Sequence, residues 1–177
     1  KIELYVEELE LNQILQHNVH NMKPFAESKS MSIKFDETGD AAMVYCDLVR
    51  MNQVFYNVLS NAVKFSTPHT EVRVKIDTPY SSEFIKVAIT NKGPGIPENQ
   101  NDKVFNEFET IENMRTHHKG TGLGMPICKK IMEHLGGKIY FESVENEETT
   151  FFIQIPTQKV LLPEVYRIRP DSVDFAA

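Results

Sequence analysis

Long apolar runs are missing from this chain, and none of its hydrophobic stretches approaches the roughly 20 residues a helix needs to cross a bilayer. Basic runs are missing too. With a net charge of −6 and a pI near 5.5, nucleic acid is not an expected partner. Cysteine is scarce: Cys46 and Cys128 are the only two, each among apolar neighbours and neither in a CxxC pair. They read as reduced core thiols of a cytosolic protein, away from any disulfide framework or cysteine metal site. There is no signal-peptide pattern and no internal repeat. What is present is ordinary for a soluble globular domain, with 41% hydrophobic and 25% charged residues over 177 positions. That length suits one domain with a substantial core and is short for two. The chain opens on Lys1, straight into structured-looking sequence. The expectation is a cytoplasmic piece of a larger protein, which can itself be the cytosolic part of a membrane-bound sensor.

The stretch that organises the rest is DLVRMNQVFYNVLSNAVKFS, residues 47–66. Leu48, Met51, Val54, Phe55, Val58, Leu59 and Ala62 follow the three-and-four spacing of one buried helix face. Asn57, Asn61 and Lys64 fall elsewhere, within about 60° of arc at 100° per residue, and form one polar stripe. Most such stripes simply meet water. Two carboxamides and an ammonium would also suit a hydrated metal ion with phosphate oxygens, Asn as a neutral ligand and Lys as a point charge.

Residues 1–11 are acidic and loosely alternating, either a linker or a short edge strand through Tyr5–Leu9. Asn12 is a candidate N-cap for a helix that Pro24 should kink or shorten. SIKFD (32–36) and AMVYCD (42–47) flank an Asp-Glu-Thr-Gly-Asp turn and read as a β-hairpin. EVRVKID (71–77) alternates cleanly, whereas FIKVAIT (84–90) is more apolar, as expected of a central strand with both faces covered. NKGPGIPEN (91–99) must be irregular backbone. GTGLG (120–124) opens a further helix, which Gly136-Gly137 ends, and KIYFES (138–143) and TTFFIQI (149–155) close the fold. Hairpins interleaved with helices predict a two-layer α/β sandwich, an antiparallel-rich mixed sheet with helices on one face. The domain is expected over residues 12–156. The tail, residues 157–177, reads as a connector whose Leu, Val and Tyr content suits packing on something.

GTGLG at a helix start lets backbone N–H groups approach a phosphate. Met125-Pro126 stands where a P-loop has its Lys-Ser or Lys-Thr pair, and no parallel βαβ unit surrounds it. One such loop says little. Two Gly loops and an Asn/Lys-striped helix in one small α/β domain say much more. The combination resembles the ATP-binding catalytic domain of two-component sensor histidine kinases, in the GHKL superfamily with its Bergerat-type fold. The resemblance runs from about Val6 to Pro156. It covers, in order, an Asn box NVLSNAVKFS (57–66), a first glycine box NKGPGIP (91–97), a phenylalanine box VFNEF (104–108) and a second glycine box GTGLG (120–124).

The resemblance implies binding of Mg2+ and ATP for phosphoryl transfer in signal transduction. Asn61 would be the Mg2+ ligand, Asn57 would support the phosphates, and Lys64 would contact the phosphate chain. Gly93 and Gly95 would turn the backbone under the adenine. Gly120, Thr121, Gly122 and Gly124, in a loop that also carries Leu123, would offer amides to the phosphates. Phe105 and Phe108 would anchor a mobile lid from about Asn101 to Lys119, ordinary core packing being the competing role for both. His117 and His118, with no carboxylate or Cys beside them, read as solvated. Implied partners are phosphoacceptor and dimerisation helices outside this chain and a response-regulator receiver domain. The fragment would be monomeric and the full-length protein a homodimer.

This chain departs from the pattern where the first glycine box begins. There the family has an Asp that accepts a hydrogen bond from the adenine amino group, and here stands Asn91. Asn91 keeps a carbonyl acceptor without the charge, which should weaken the contact by about 1 kcal/mol. His20-Asn21-Met22-Lys23-Pro24 lacks the acidic neighbour and the spacing of a phosphoacceptor motif, so His20 reads as structural. Where hydrolytic superfamily members carry a Glu base, Asn57 cannot take a proton at neutral pH, which favours a kinase over a hydrolytic motor. Two function classes follow: a kinase part that donates the γ-phosphoryl group to a histidine elsewhere, or a degenerate module working through protein contacts.

Overall fold

The computed structural model describes residues 4–37, 39–77, 83–109, 122–158 and 162–163. In chain order it places β1 (Glu7–Glu10), α1 (Leu11–Ser28), β2 (Ser32–Asp36), β3 (Met43–Cys46), α2 (Leu48–Lys64), β4 (Glu71–Asp77) and β5 (Phe84–Lys92). A 3-10 turn (Glu98–Lys103), α3 (Gly124–His134), β6 (Lys138–Val144) and β7 (Glu148–Pro156) complete it. Five strands form one sheet in the order β2-β4-β5-β7-β6, parallel only between β2 and β4, and β1 pairs with β3 apart from it. Ile85, Val87 and Ile89 of β5 alternate onto the buried face and share one core with Met51, Val54, Phe55, Val58 and Leu59 of α2. The helices therefore cover one face, and the central strand is the apolar FIKVAIT run, as its composition requires.

SIKFD and AMVYCD do not form a hairpin. β2 pairs in parallel with β4, Ile33 beside Val72, and β3 pairs antiparallel with β1, Cys46 beside Glu7. The turn sequence between them is compatible with a hairpin, but Ile33 and Phe35 pair with Val72 and Val74 on the main sheet, where Ile33 is buried, and long-range pairing outweighs local turn chemistry. The acidic start is an edge strand, Glu7–Glu10, and not merely a linker.

The cap of α1 also differs. Glu10, not Asn12, is the N-cap, its carboxylate accepting from Asn12 N–H at 3.1 Å, Gln13 N–H at 3.0 Å and Ala42 N–H at 3.1 Å. Burial alone would raise its carboxyl; the bonds from Ala42, Asn12 and Gln13 outweigh it and hold the carboxyl below its usual range. The helix runs past Pro24 to Ser28, because Met22 and Ala26 on either side are buried while Pro24 faces solvent. In the tail, Leu162 is fully buried. Both thiols are core residues. Burial pushes Cys46 and Cys128 up to about 12, with the charges of Asp47 and Glu7 adding to the effect at Cys46.

A candidate nucleotide site between the striped helix and the sheet

Asp47 starts α2 by accepting from Arg50 N–H at 3.0 Å, and the apolar face of the helix turns to the sheet. The stripe is thereby left along one wall of a cavity of about 230 Å³. Asn57, Ser60, Asn61 and Lys64 line that wall, and all but Ser60 are half-buried. The sheet supplies Asn91 from β5 with Thr149 and Phe151 from β7. Gly95, Ile96, Lys103, Val104 and Glu109 close one side, and Gly122, Gly124, Met125 and Pro126 at the start of α3 close another. The 3-10 turn and α3 thus frame the space between stripe and sheet.

Asn57 is the one stripe residue with a structural role visible here. Its Nδ2 donates to Gly124 C=O at 3.4 Å and contacts Cys128 Sγ at 3.6 Å, tying α2 to the first turn of α3. Asn61 and Lys64 make no side-chain hydrogen bond or ion pair among the described residues, and neither does Lys103. Asn91 is only 7% exposed, and its carboxamide likewise has no hydrogen-bond partner among the described residues. No buried side-chain nitrogen or oxygen among the described residues lacks a partner, so the Asn91 carboxamide opens onto the cavity, where a ligand could take its hydrogen bonds. The lining carries two free ammonium groups and, among the described residues, one carboxylate, Glu109, on an exposed loop. That balance suits a polyanion.

The first glycine box is held by backbone contacts that tolerate no side chain. A Cβ on Gly93 would stand 2.2 Å from Phe65 O, at the end of α2. Gly95 has φ +66°, and a Cβ there would stand 2.5 Å from Val144 O. Gly93 N–H donates to Glu147 C=O at 3.1 Å and Asn146 N–H to Pro94 C=O at 2.8 Å, so the loop is clamped to the β6–β7 turn.

The structure brings together Asn57, Asn61, Lys64, Asn91, Gly95, Gly122 and Gly124 on one cavity. Gly93 sits behind the lining, and Leu123 is half-buried outside it. Phe105 packs on Phe141 and Phe151, ring centroids 6.1 and 6.4 Å apart, and so takes the core role. Phe108 is 74% exposed with φ +63°, and among the described residues it anchors no hydrophobic base; its N–H donates to Gly122 C=O at 3.2 Å. Gly120 and Thr121, the lid beyond Glu109, and His117 and His118 lie outside the described residues. Lys103, Thr149 and Tyr56 line the cavity and were not anticipated. For Lys103 a signal existed, a lone cation directly ahead of the phenylalanine box. For Thr149 there was none, since it reaches the site only as the register partner of Asn91.

Residues 46–159 match the profile of the histidine kinase-, DNA gyrase B-, and HSP90-like ATPase family. The chain belongs to that family. Its curated relatives are sensor histidine kinases. It is 29% identical over 150 residues to an adaptive-response sensory kinase SasA of Prochlorococcus marinus, covering 85% of this chain and 39% of the relative. It is 40% identical over 114 residues to the sensor protein kinase WalK of Staphylococcus aureus, covering 63% of this chain and 27% of that one. The chain thus spans two-fifths or less of these relatives' length. Among solved structures, the nucleotide-free catalytic domain of histidine kinase ThkA superposes with a TM-score of 0.75 at 28% identity, covering 87% of this chain and 99% of that one. ThkA has also been solved in complex with the response regulator protein TrrA, where the match has a TM-score of 0.68 at 25% identity and covers 86% of this chain and 42% of that one. The histidine kinase-, DNA gyrase B-, and HSP90-like ATPase family is therefore this chain's family, and its mixed five-stranded sheet covered by helices matches the fold of a histidine kinase catalytic domain.

Proposed function

We propose that the cavity binds Mg·ATP and presents the γ-phosphoryl group to a histidine on a separate helical dimerisation domain. The observation that carries this reading is the set of side chains around one cavity that have no partner among the described residues: Asn61, Lys64, Lys103 and Asn91. Asn61 fits a magnesium ligand, because its carboxamide oxygen lines the cavity and is committed to no other group among the described residues. When bound, Mg2+ would neutralise phosphate charge. Lys64 and Lys103 would hold the phosphate chain as point charges, and the backbone around Gly122 and Gly124 would face it at the start of α3. Asn57 holds α3 to α2 and takes no proton, and the only lining carboxylate among the described residues is Glu109. Positioning and charge neutralisation suffice for phosphoryl transfer to an acceptor that brings its own base, whereas water would need one here. Slow intrinsic hydrolysis is the consequence.

The phosphoacceptor helices and then a receiver domain are the proposed partners, and the cytoplasm, where ATP is available, the proposed place of action. No helix among the described residues is long and apolar enough to cross a membrane. The test is incubation with γ-labelled ATP and the acceptor helices of the whole protein. Acid-labile, base-stable label on the acceptor histidine is expected. ATP turned over only to free phosphate, or bound without any transfer, would overturn the kinase reading. A second reading, a module acting through protein contacts, draws on Asn91 alone.

A further inference from the structure

The two sides of the cavity differ in kind. The α2 side carries half-buried Asn61 and Lys64 and suits a polyanion. The sheet side is apolar through Ile96 and Phe151, and its two polar side chains, Asn91 and Thr149, are 7% and 5% exposed. An apolar slot with a pair of deep polar groups is how a flat heterocycle is held and oriented.

Neither of those groups has a fixed donor–acceptor sense. The Asn91 carboxamide has no hydrogen-bond partner among the described residues, so nothing there pins which end is C=O and which is NH2. Its terminal torsion is soft, and turning over exchanges donor for acceptor. Thr149 faces Asn91 across the β5–β7 ladder. Its Oγ1 lies 2.7 Å from Ser143 Oγ, and either hydroxyl can donate. Ser143 Oγ accepts from Ile96 N–H at 2.8 Å and lies 3.2 Å from Glu148 C=O. When Ser143 donates to Glu148, Thr149 donates to Ser143 and shows the cavity lone pairs. When Ser143 donates to Thr149, the Thr149 proton is released toward the cavity. In both arrangements the two hydroxyls stay bonded to each other, and in the second the Thr149 O–H is left for an acceptor on the ligand.

The geometry points to a base-reading wall of Asn91 and Thr149 that takes purine nucleotides with a 6-oxo group as readily as those with a 6-amino group. This rests on the nucleotide reading above and names its substrate class. A 6-aminopurine shows a donor at position 6 and an acceptor at N1; a 6-oxopurine shows the reverse. A carboxylate at position 91 would only accept, satisfying the amino group and repelling the oxo group. Strong discrimination arises where the wrong ligand leaves a buried polar group unpaired. Here neither purine does.

The test is calorimetric titration of the full chain with Mg·ATP, Mg·ITP and Mg·GTP. Inosine triphosphate differs from ATP only at position 6 and in its coupled N1 proton. The expected result is an ITP affinity within tenfold of ATP, with Asn91→Asp widening the preference for ATP at least tenfold, or about 1.4 kcal/mol. ITP binding more than tenfold weaker than ATP in the wild type overturns the inference, as does a ratio that Asn91→Asp leaves unmoved. Should the aspartate variant not fold, the wild-type ratio decides. GTP, also a 6-oxopurine, is expected to follow ITP, and GTP more than tenfold weaker than ITP overturns the inference for 6-oxopurines as a class. Binding of ATP alone removes this inference and leaves the nucleotide reading intact, whereas failure of all three to bind the folded protein removes both.

Discussion

Replacing Gly95 with alanine should damage both the fold and the cavity. The added Cβ would stand 2.5 Å from Val144 O and 2.9 Å from Glu145 Cα, both backbone atoms. Neither can move cheaply. Val144 is paired with Glu148 in the β6–β7 ladder, and its carbonyl already accepts from Glu147 N–H at 3.1 Å. The left-handed backbone at Gly95 costs a residue with a Cβ about 1–2 kcal/mol, and forced overpacking typically adds about 1–3. The sum is about 2–5 kcal/mol. At about 2–4 °C per kcal/mol for a chain of this size, the midpoint of thermal unfolding should fall by about 10 °C. Gly39 is the internal control, because a Cβ there meets nothing within 4 Å. Gly39→Ala should melt within about 1 °C of the wild type, as exposed substitutions do. The assay is unfolding followed by circular dichroism on the three proteins. A Gly95→Ala midpoint indistinguishable from that of Gly39→Ala would refute the claim that the loop is clamped to the β6–β7 turn.

Asn61→Ala should leave the melting temperature of the ligand-free protein within about 1 °C, since the side chain makes no hydrogen bond among the described residues, while abolishing the magnesium dependence of nucleotide binding; a large loss of stability would mark Asn61 as structural. Lys103→Ala should weaken triphosphate binding by about threefold to tenfold and leave adenosine binding unchanged, a salt-sensitive loss read by titration at two ionic strengths. The Glu10 carboxyl is held below its ordinary 4.5, so its contribution is complete above that value and is lost as pH falls through the lower folded value. Glu10→Gln should therefore cost about 1 kcal/mol at neutral pH and flatten the acid limb of the stability profile; parallel acid limbs would show that the cap is not charge-assisted.

What was legible in the sequence were features carried by single elements. The apolar spacing of α2 fixed which side of that helix is buried, and so placed Asn57, Asn61 and Lys64 together before any tertiary contact was known. The two glycine loops were legible because backbone freedom is written in residue type. Features that depend on pairing between distant strands were not. SIKFD and AMVYCD looked like a hairpin because their turn chemistry is local, whereas their partners, β4 and β1, lie elsewhere in the chain. Thr149 reaches the cavity through register, which has no local signal. Asn12 looked like the cap of α1 by propensity, yet Glu10 holds that place because Ala42 offers its carboxylate a third amide. Phe108 read as a lid anchor, with core packing as the competing role, but its φ of +63° goes with a side chain left in solvent.

The central claim is that one cavity takes Mg·ATP through Asn61, Lys64 and Asn91, and calorimetry on the wild-type chain tests it most directly. Titration with a non-hydrolysable ATP analogue should give saturable one-to-one binding that weakens at least tenfold when magnesium is chelated. A folded protein that gives no binding, or binds equally well with and without magnesium, would contradict it.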